Sequence, residues 1–292
     1  MNPTPNNLPP SRASPASSPL RIAILLNSYR SPFINQIRDS YIRCIGAVTA
    51  RDNNNNDNGN NNDNDHNDNH AAEPVPVAPV LSFFYPAEQA DDFPDPAAFD
   101  LIVVGGSNAD PRKRHPWILR VHQFILDVVA HHPRKKICGI CWGHQTISLL
   151  FGGEIVDMET PELGVTEAKL TPAGRRFFSR PSSGSGVLLL QQHHRRAVAS
   201  PPRGFYELLV GNQCFLSHNN AILTFQGHPE KDAQCAKLRI RDATRWFGID
   251  PDDKVGLAYF ERAMERPDDS AEIWARILEW AGEKHPSHEV RL

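Results

Sequence analysis

Short apolar runs alternate with helix-like segments in the first half of the chain, and this alternation limits the fold more than any other feature. The apolar runs are 21–27, 80–85, 99–111 and 135–140, and the segments with helical spacing are 31–48, 117–132 and 143–153. Such runs are typical of buried strands, and strands that alternate with helices indicate a parallel sheet with helices on both faces. The sequence therefore predicts an α/β domain.

The second half of the chain has a mixed pattern. Strand-like stretches lie at 165–171, 186–194, 206–211 and 221–229, and helical stretches lie at 231–247, 255–266 and 270–283. Some of these strands are expected to be antiparallel. Because the sequence has no internal repeat and no second domain boundary, we predict one domain over residues 21–285.

Two segments lack the apolar residues that a packed core needs. Residues 1–20 are rich in Pro, Ser and Asn, and residues 52–72 consist mostly of Asn and Asp. Neither segment can offset its ordering entropy by burial, so we expect a disordered tail and a disordered insertion. The Asp and His residues of the insertion have no metal-ligand spacing, and neither a metal site nor a cofactor is predicted.

Charge, hydropathy and cysteine content argue against a nucleic-acid-binding, a membrane-spanning or a disulfide-rich secreted protein. The formal net charge of -3 over 292 residues gives no general attraction to nucleic acid, and no apolar run is long enough for a membrane span. The five cysteines are scattered and odd in number, and the N-terminus lacks the apolar region of a secretory leader. We therefore expect reduced thiols and a cytoplasmic location.

The stretch KKICGICWGHQ, residues 135–145, places a cysteine at the junction of a predicted strand and a predicted helix. Gly139 and Gly143 flank Cys141 two positions away on either side, as in a nucleophile elbow, where side chains would clash as the chain reverses. The helix N-terminus would favour a thiolate, and the backbone N–H of Trp142 could receive an oxyanion.

Two other interpretations of this cysteine are open. Cys138 and Cys141 have the Cys-x-x-Cys spacing of redox proteins, but Cys138 falls inside the apolar strand rather than at the start of a helix. A buried cysteine with a packing role is the other alternative, although it would not need a glycine on each side.

A nucleophilic thiol needs a general base that is oriented by a third group. The stretch TFQGHPEKD, residues 224–232, supplies His228 and Glu230 directly after an apolar run, with Pro229 between them. Together with the elbow and the Gly-Gly turn at 105–106, Cys141, His228 and Glu230 form a candidate catalytic triad.

The motifs GICWGHQ, QGHPE and VVGGS resemble the signatures of class I glutamine amidotransferase domains, which have a flavodoxin-like fold. The resemblance spans residues 21–250 apart from the insertion. Within that superfamily, the stretches DPRKRHPWILRVHQFI, KKICGICWGHQ and AMERPDDSAEIWARIL are most similar to stand-alone γ-glutamyl peptidases and their fungal relatives.

The resemblance implies roles for the candidate residues. Cys141 would attack the γ-carbonyl of a small-molecule γ-glutamyl substrate to form a thioester, His228 would transfer the proton, and Glu230 would orient His228. A second set is implied to hold the oxyanion or the substrate: Gly106, Trp142, Gln145 and His194.

One position departs from the family pattern. In QQHHRRAV, residues 191–198, His194 matches the family's histidine, but Arg196 stands where an acid helps to bind the substrate's ammonium group. A cation there would repel that group, which favours a γ-glutamyl peptide or conjugate over free glutamine. Three functions stay open: a stand-alone γ-glutamyl hydrolase, a glutaminase subunit that passes ammonia to a separate synthase, and an inactive binding module.

Overall fold

The structure is a computed structural model that describes residues 18–57, 77–178, 186–242 and 244–283. Most of the predicted tail 1–20 and residues 58–72 of the predicted insertion lie outside this part of the chain. The first helix continues to Asp57 and so includes the first six residues of the predicted insertion. Adding residues to an existing helix is far less costly than nucleating one, so a helix can extend into a polar tract.

The strands are β1 (Arg21–Leu25), β2 (Val80–Phe84), β3 (Leu101–Val104), β4 (Lys136–Ile140), β5 (Glu154–Lys169), β6 (Val187–Ser200), β7 (Phe205–Leu209), β8 (Cys214–Ser217) and β9 (Ile222–Phe225). The helices are α1 (Ile34–Asp57), α2 (Pro116–His131), α3 (Trp142–Leu150), α4 (Pro172–Phe177), α5 (Ala233–Asp242), α6 (Thr244–Phe247), α7 (Lys254–Met264) and α8 (Ser270–Gly282). None of the helices in the described ranges is long and apolar enough to cross a membrane.

The main sheet of the described residues has the strand order β2-β1-β3-β4-β9-β8-β7. Strands β1 to β4 and β9 are parallel, whereas β8 is antiparallel to both β9 and β7. The order of the five parallel strands is that of flavodoxin-like sheets, in which ligands bind at the carboxyl ends of the strands. The predicted fold class is confirmed.

Helices cover both faces of this sheet. In β1, Ile22 and Ile24 pack in one buried cluster with side chains of α1 and α8. Ala23 and Leu25 point the other way and pack in a second cluster with α2 and α3. Because successive side chains of a strand alternate between faces, a strand that is buried on both sides must be apolar throughout, as residues 22–26 are.

The second half of the chain differs in detail from its prediction. Strands β5 and β6 form a separate antiparallel pair, with a register shift between Asp157 and Glu162. β5 begins 11 residues before the predicted segment 165–171, and β6 ends six residues after the predicted segment 186–194. Strand β8 and helix α4 were not predicted. The predicted helix 231–247 comprises α5 and α6.

Candidate active site

The predicted site residues meet at the carboxyl edge of the parallel strands. Gly106 follows β3, Cys141 follows β4, and His228 follows β9. These strands are neighbours in the sheet, because β4 pairs with β3 on one side and with β9 on the other. The topology therefore brings together residues that are more than 80 positions apart in the sequence.

Cys141 lies at a strained turn between β4 and α3. Its backbone has φ 53° and ψ -100°, a region that non-glycine residues rarely adopt. Its N–H donates to the carbonyl oxygen of Phe225 at 2.7 Å, and its own carbonyl accepts from the N–H of Gln145 at 3.0 Å. Strain of this kind is held by the surrounding structure and is typical of a nucleophile elbow.

The two glycines that flank Cys141 are required by close packing. A Cβ atom on Gly143 would lie 2.0 Å from the carbonyl oxygen of Val104. A Cβ atom on Gly139 would lie 2.6 Å from Cδ1 of Ile147 and 2.8 Å from the carbonyl oxygen of Gly143. Since neither position has room for a side chain, helix α3 can approach strands β3 and β4 closely enough to turn the thiol outward.

His228 and Glu230 form a buried pair. The Nδ1 atom of His228 lies 2.7 Å from Oε1 of Glu230. Two neighbouring helices hold their loop, since Nε1 of Trp274 donates to the carbonyl oxygen of Pro229 at 3.0 Å and Oγ of Ser40 donates to that of Glu230 at 2.8 Å. The orientation of the imidazole is therefore fixed by Glu230 and by the two hydrogen bonds to the backbone of its loop.

Cys141 and His228 lie side by side in the wall of one pocket, and a Cβ atom on Gly106 would be close to both. Burial acts to raise the pKa of Cys141, but His228 and the charge of Lys231 lower it below its ordinary value. Burial and Lys231 act to lower the pKa of His228, but Glu230 and Cys141 raise it above its usual range. The pKa of Glu230 is lowered, because the charge of His228 outweighs burial. These directions favour a thiolate–imidazolium pair.

Gly106, in the turn after β3, lies next to both Cys141 and His228. A Cβ atom on Gly106 would lie 3.1 Å from Cε1 of His228 and 3.6 Å from Cβ of Cys141, so a side chain there would press against the imidazole. Trp142 is the first residue of α3, where a backbone N–H has no acceptor within the helix. The two predicted oxyanion donors, Gly106 and Trp142, thus both lie next to Cys141.

Matches to known proteins identify the family of the chain. Residues 77–242 match the family model described as glutamine amidotransferase class-I. The chain belongs to this family. A glutamine amidotransferase-like protein of Penicillium rubens is 30% identical over 201 residues, which cover 68% of this chain and 82% of that protein. Gamma-glutamyl peptidase 2 of Arabidopsis thaliana is 29% identical over 143 residues, which cover 45% of this chain and 54% of that protein.

Solved structures agree on the fold. The crystal structure of a glutamine amidotransferase from Thermotoga maritima superimposes with a TM-score of 0.60 at 15% identity. The match covers 91% of this chain and 100% of that one. At this identity, the likeness shows the fold alone.

Two residues that were predicted to contact substrate, Gln145 and His194, lie in internal contacts. Nε2 of Gln145 donates to the carbonyl oxygen of Arg196 at 2.8 Å. His194 contacts the same carbonyl through Nδ1 at 3.0 Å and Oε2 of Glu162 through Nε2 at 3.0 Å. Neither Gln145 nor His194 is part of the pocket wall at Cys141. Their predicted contact with substrate stays a prediction.

Arg196, the departure from the family pattern, has its charge balanced within the protein. Its Nε atom lies 3.4 Å from Oδ1 of Asp157 and 4.0 Å from Oδ2 of Asp110. Its Nη1 atom donates to the carbonyl oxygen of Ala109 at 3.1 Å, and the guanidinium lies 5.6 Å from the ring centre of Trp246. The expected repulsion of a substrate ammonium is therefore reduced by two carboxylates, and the side chain also ties the loop after β3 to β6.

The pocket beside Cys141 contains polar residues that the sequence reasoning did not select. It has a volume of about 450 Å³, part of it open to solvent, and its wall includes Tyr41, His193, Lys231 and Arg239. Lys231 directly follows Glu230 in the QGHPEK stretch, and this position beside a candidate residue is the sequence feature that could have placed it at the site. His193 precedes the histidine that was selected, and the register of β6 turns it toward the pocket.

The redox interpretation of Cys138 finds no support in its surroundings. Cys138 is fully buried in the middle of β4, and burial raises the pKa of its thiol above the ordinary range. All five cysteines of the chain are described, and all are free. Buried thiols with a raised pKa are inert, so Cys138 has a packing role.

Proposed function

We propose that the protein hydrolyses the γ-amide bond of a γ-glutamyl compound with a Cys141–His228–Glu230 triad. The observation that carries this proposal is the arrangement around one sulfur atom. Cys141 is held at a strained turn, His228 lies beside it in the same pocket wall, and Nδ1 of that imidazole is bonded to the buried carboxylate of Glu230. A nucleophile, a base and an orienting group in this order are the requirements of acyl transfer.

In the first half of the reaction, the Cys141 thiolate attacks the γ-carbonyl carbon and forms a tetrahedral oxyanion. The backbone N–H groups of Gly106 and Trp142 donate to that oxygen. The carbon–nitrogen bond then breaks, the His228 imidazolium gives its proton to the departing nitrogen, and a γ-glutamyl thioester remains.

In the second half, His228 is neutral and takes a proton from water as the water oxygen attacks the thioester. Collapse of the second tetrahedral intermediate releases glutamate and returns the sulfur as a thiolate beside an imidazolium. Glu230 keeps the proton on Nδ1 throughout, so that Nε2 faces the reacting groups.

Glutamate release from a panel of compounds tests this function. The panel consists of glutamine, glutathione and a glutathione S-conjugate, each incubated with the wild type, Cys141→Ala and Cys138→Ala. We expect the wild type and Cys138→Ala to release glutamate, and Cys141→Ala to fall below about a thousandth of the wild-type rate with an unchanged circular dichroism spectrum. Wild-type turnover by Cys141→Ala would exclude the mechanism.

A glutaminase subunit that supplies ammonia to a separate synthase is the second candidate. A limited similarity supports it, since a glutamine-hydrolysing GMP synthase subunit from Ignicoccus hospitalis is 32% identical over 71 residues, or 35% of that protein. This candidate predicts that glutamine is the preferred substrate and that a synthase copurifies and accelerates its hydrolysis. Preference for a γ-glutamyl peptide, with no such partner, would favour the stand-alone hydrolase.

A further inference from the structure

Lys231 places a buried amine beside the reaction centre. Its Nζ atom lies 3.4 Å from Nε2 of His228, the ring nitrogen that faces away from Glu230. The residue is 7% exposed and is part of the pocket wall at Cys141. No carboxylate of the described residues forms an ion pair with this amine. Burial lowers the pKa of this amine, and an anion bound next to it would stabilise its charged form.

Three more polar side chains of the pocket wall are buried beside this amine. The hydroxyl of Tyr41 and both ring nitrogens of His193 have no hydrogen-bond partner among the described residues. Arg239, from α5, is 6% exposed, and its Nη1 atom donates to Oγ of Ser31 at 3.2 Å. Buried polar groups without partners are rare in folded proteins, and here those of Tyr41 and His193 converge on one cavity.

The charges of the wall determine what kind of group the cavity fits. Lys231 and Arg239 are both cations, whereas Glu230 is the one carboxylate among the wall residues and is already bonded to His228. The hydroxyl of Tyr41 is a donor, and a neutral imidazole at His193 offers one more. This set of groups fits an anion, and a carboxylate accepts hydrogen bonds from all of these donors.

We propose that Lys231 and Arg239 bind a carboxylate on the leaving group of the substrate, next to the scissile amide. The inference rests on the proposed function, in which His228 gives its proton to the departing nitrogen. Because Lys231 Nζ lies 3.4 Å from that imidazole's Nε2, a carboxylate one carbon from the nitrogen comes within reach of the amine. The α-carboxylate of an amino acid has this position. The preferred substrates are then γ-glutamyl amino acids, whereas the ammonia released from glutamine carries no such group.

The kcat/KM values of two matched substrates test this assignment. γ-Glutamylglycine and γ-glutamylmethylamide contain the same scissile amide, and the former alone has a carboxylate on the leaving group. We expect the wild type to prefer γ-glutamylglycine by at least about tenfold, the size of a hydrogen-bonded charge contact. In Lys231→Met that ratio should fall to about one, and Lys231→Arg should keep most of it.

Lys237→Met is the matched control. Lys237 lies on α5 and pairs with Glu265 at the surface, 2.6 Å away, so its loss should leave the ratio as in the wild type.

A wild-type ratio near one overturns the inference without any variant, and so does a Lys231→Met protein that keeps the wild-type ratio. An equal loss on both substrates in Lys231→Met would also overturn it, because Lys231 would then act through the Cys141 thiolate. Absence of hydrolysis of every γ-glutamyl compound would instead refute the proposed function itself.

Discussion

The Nδ1 atom of His228 lies 2.7 Å from Oε1 of Glu230, and both side chains are almost completely buried. Because the carboxylate accepts the Nδ1 proton, Nε2 is the nitrogen that can exchange a proton with the thiol of Cys141. The pKa of His228 is raised by Glu230 and Cys141 against the effect of burial, so the imidazole can carry charge inside the protein. This pair makes Glu230 a positioning residue for His228.

Replacing Glu230 by Gln should reduce kcat by at least about 100-fold on γ-glutamyl substrates, because the amide neither stabilises the imidazolium nor fixes the ring tautomer. KM should change little, since Glu230 is engaged with His228 rather than with substrate. The control is Glu265→Gln, which removes a surface carboxylate that pairs with Lys237. A Glu230→Gln enzyme with kcat within about threefold of the wild type would show that the buried pair has no catalytic role.

The pH dependence of Cys141 alkylation should show a lowered pKa. Since His228 and Lys231 outweigh burial and lower this pKa, the thiolate persists at lower pH than in an ordinary cysteine, whose pKa is about 8.5. The rate of modification by iodoacetamide, followed on the Cys141 peptide by mass spectrometry, should reach half its plateau below about pH 8.5.

In His228→Ala the pH midpoint of Cys141 modification should move upward. Cys44 should react slowly throughout, because burial raises the pKa of its thiol. A Cys141 midpoint that His228→Ala leaves in place would contradict the electrostatic coupling of Cys141 to His228.

Two glycine-to-alanine substitutions should change stability in opposite directions. A Cβ at position 143 would lie 2.0 Å from the backbone oxygen of Val104, and we expect Gly143→Ala to lower the free energy of unfolding by about 3 kcal/mol. Gly46 lies in helix α1 with open space around an added Cβ, so Gly46→Ala should raise it by about 0.5–1 kcal/mol. Urea denaturation followed by circular dichroism measures both. Equal midpoints for the two variants would show that the elbow tolerates a side chain.

Much of the sheet was predictable because its parallel strands are buried on both faces. β3 is apolar throughout, and β1 and β4 have no polar side chain after a first basic residue. Such runs are visible in a sequence without knowledge of the neighbouring strands. The first half of β5 has no such pattern, because its side chains are mostly exposed and a register shift interrupts it between Asp157 and Glu162. Strand β8 has four residues and α4 has six, which is too short for a periodic signal.

The site was predictable where a local motif carries the geometry. Cys141 with its glycines, and His228 with Glu230, are each contained in a few consecutive residues, and the sheet topology alone brings the two motifs together. The choice between His193 and His194 depends on strand register, since adjacent side chains point to opposite faces. The sequence does not fix that register. Lys231 was likewise passed over because its approach to Nε2 of His228 depends on the turn of the loop.

The central claim is that Cys141 carries the γ-glutamyl group during turnover. The direct test is peptide-resolved mass spectrometry of protein that is quenched in acid while it consumes γ-glutamylglycine. We predict a γ-glutamyl adduct on the peptide that contains Cys141, present during turnover and lost once the substrate is exhausted. Glutamate release with the Cys141 peptide unmodified at every quench time, or with the adduct on another residue, would contradict the mechanism.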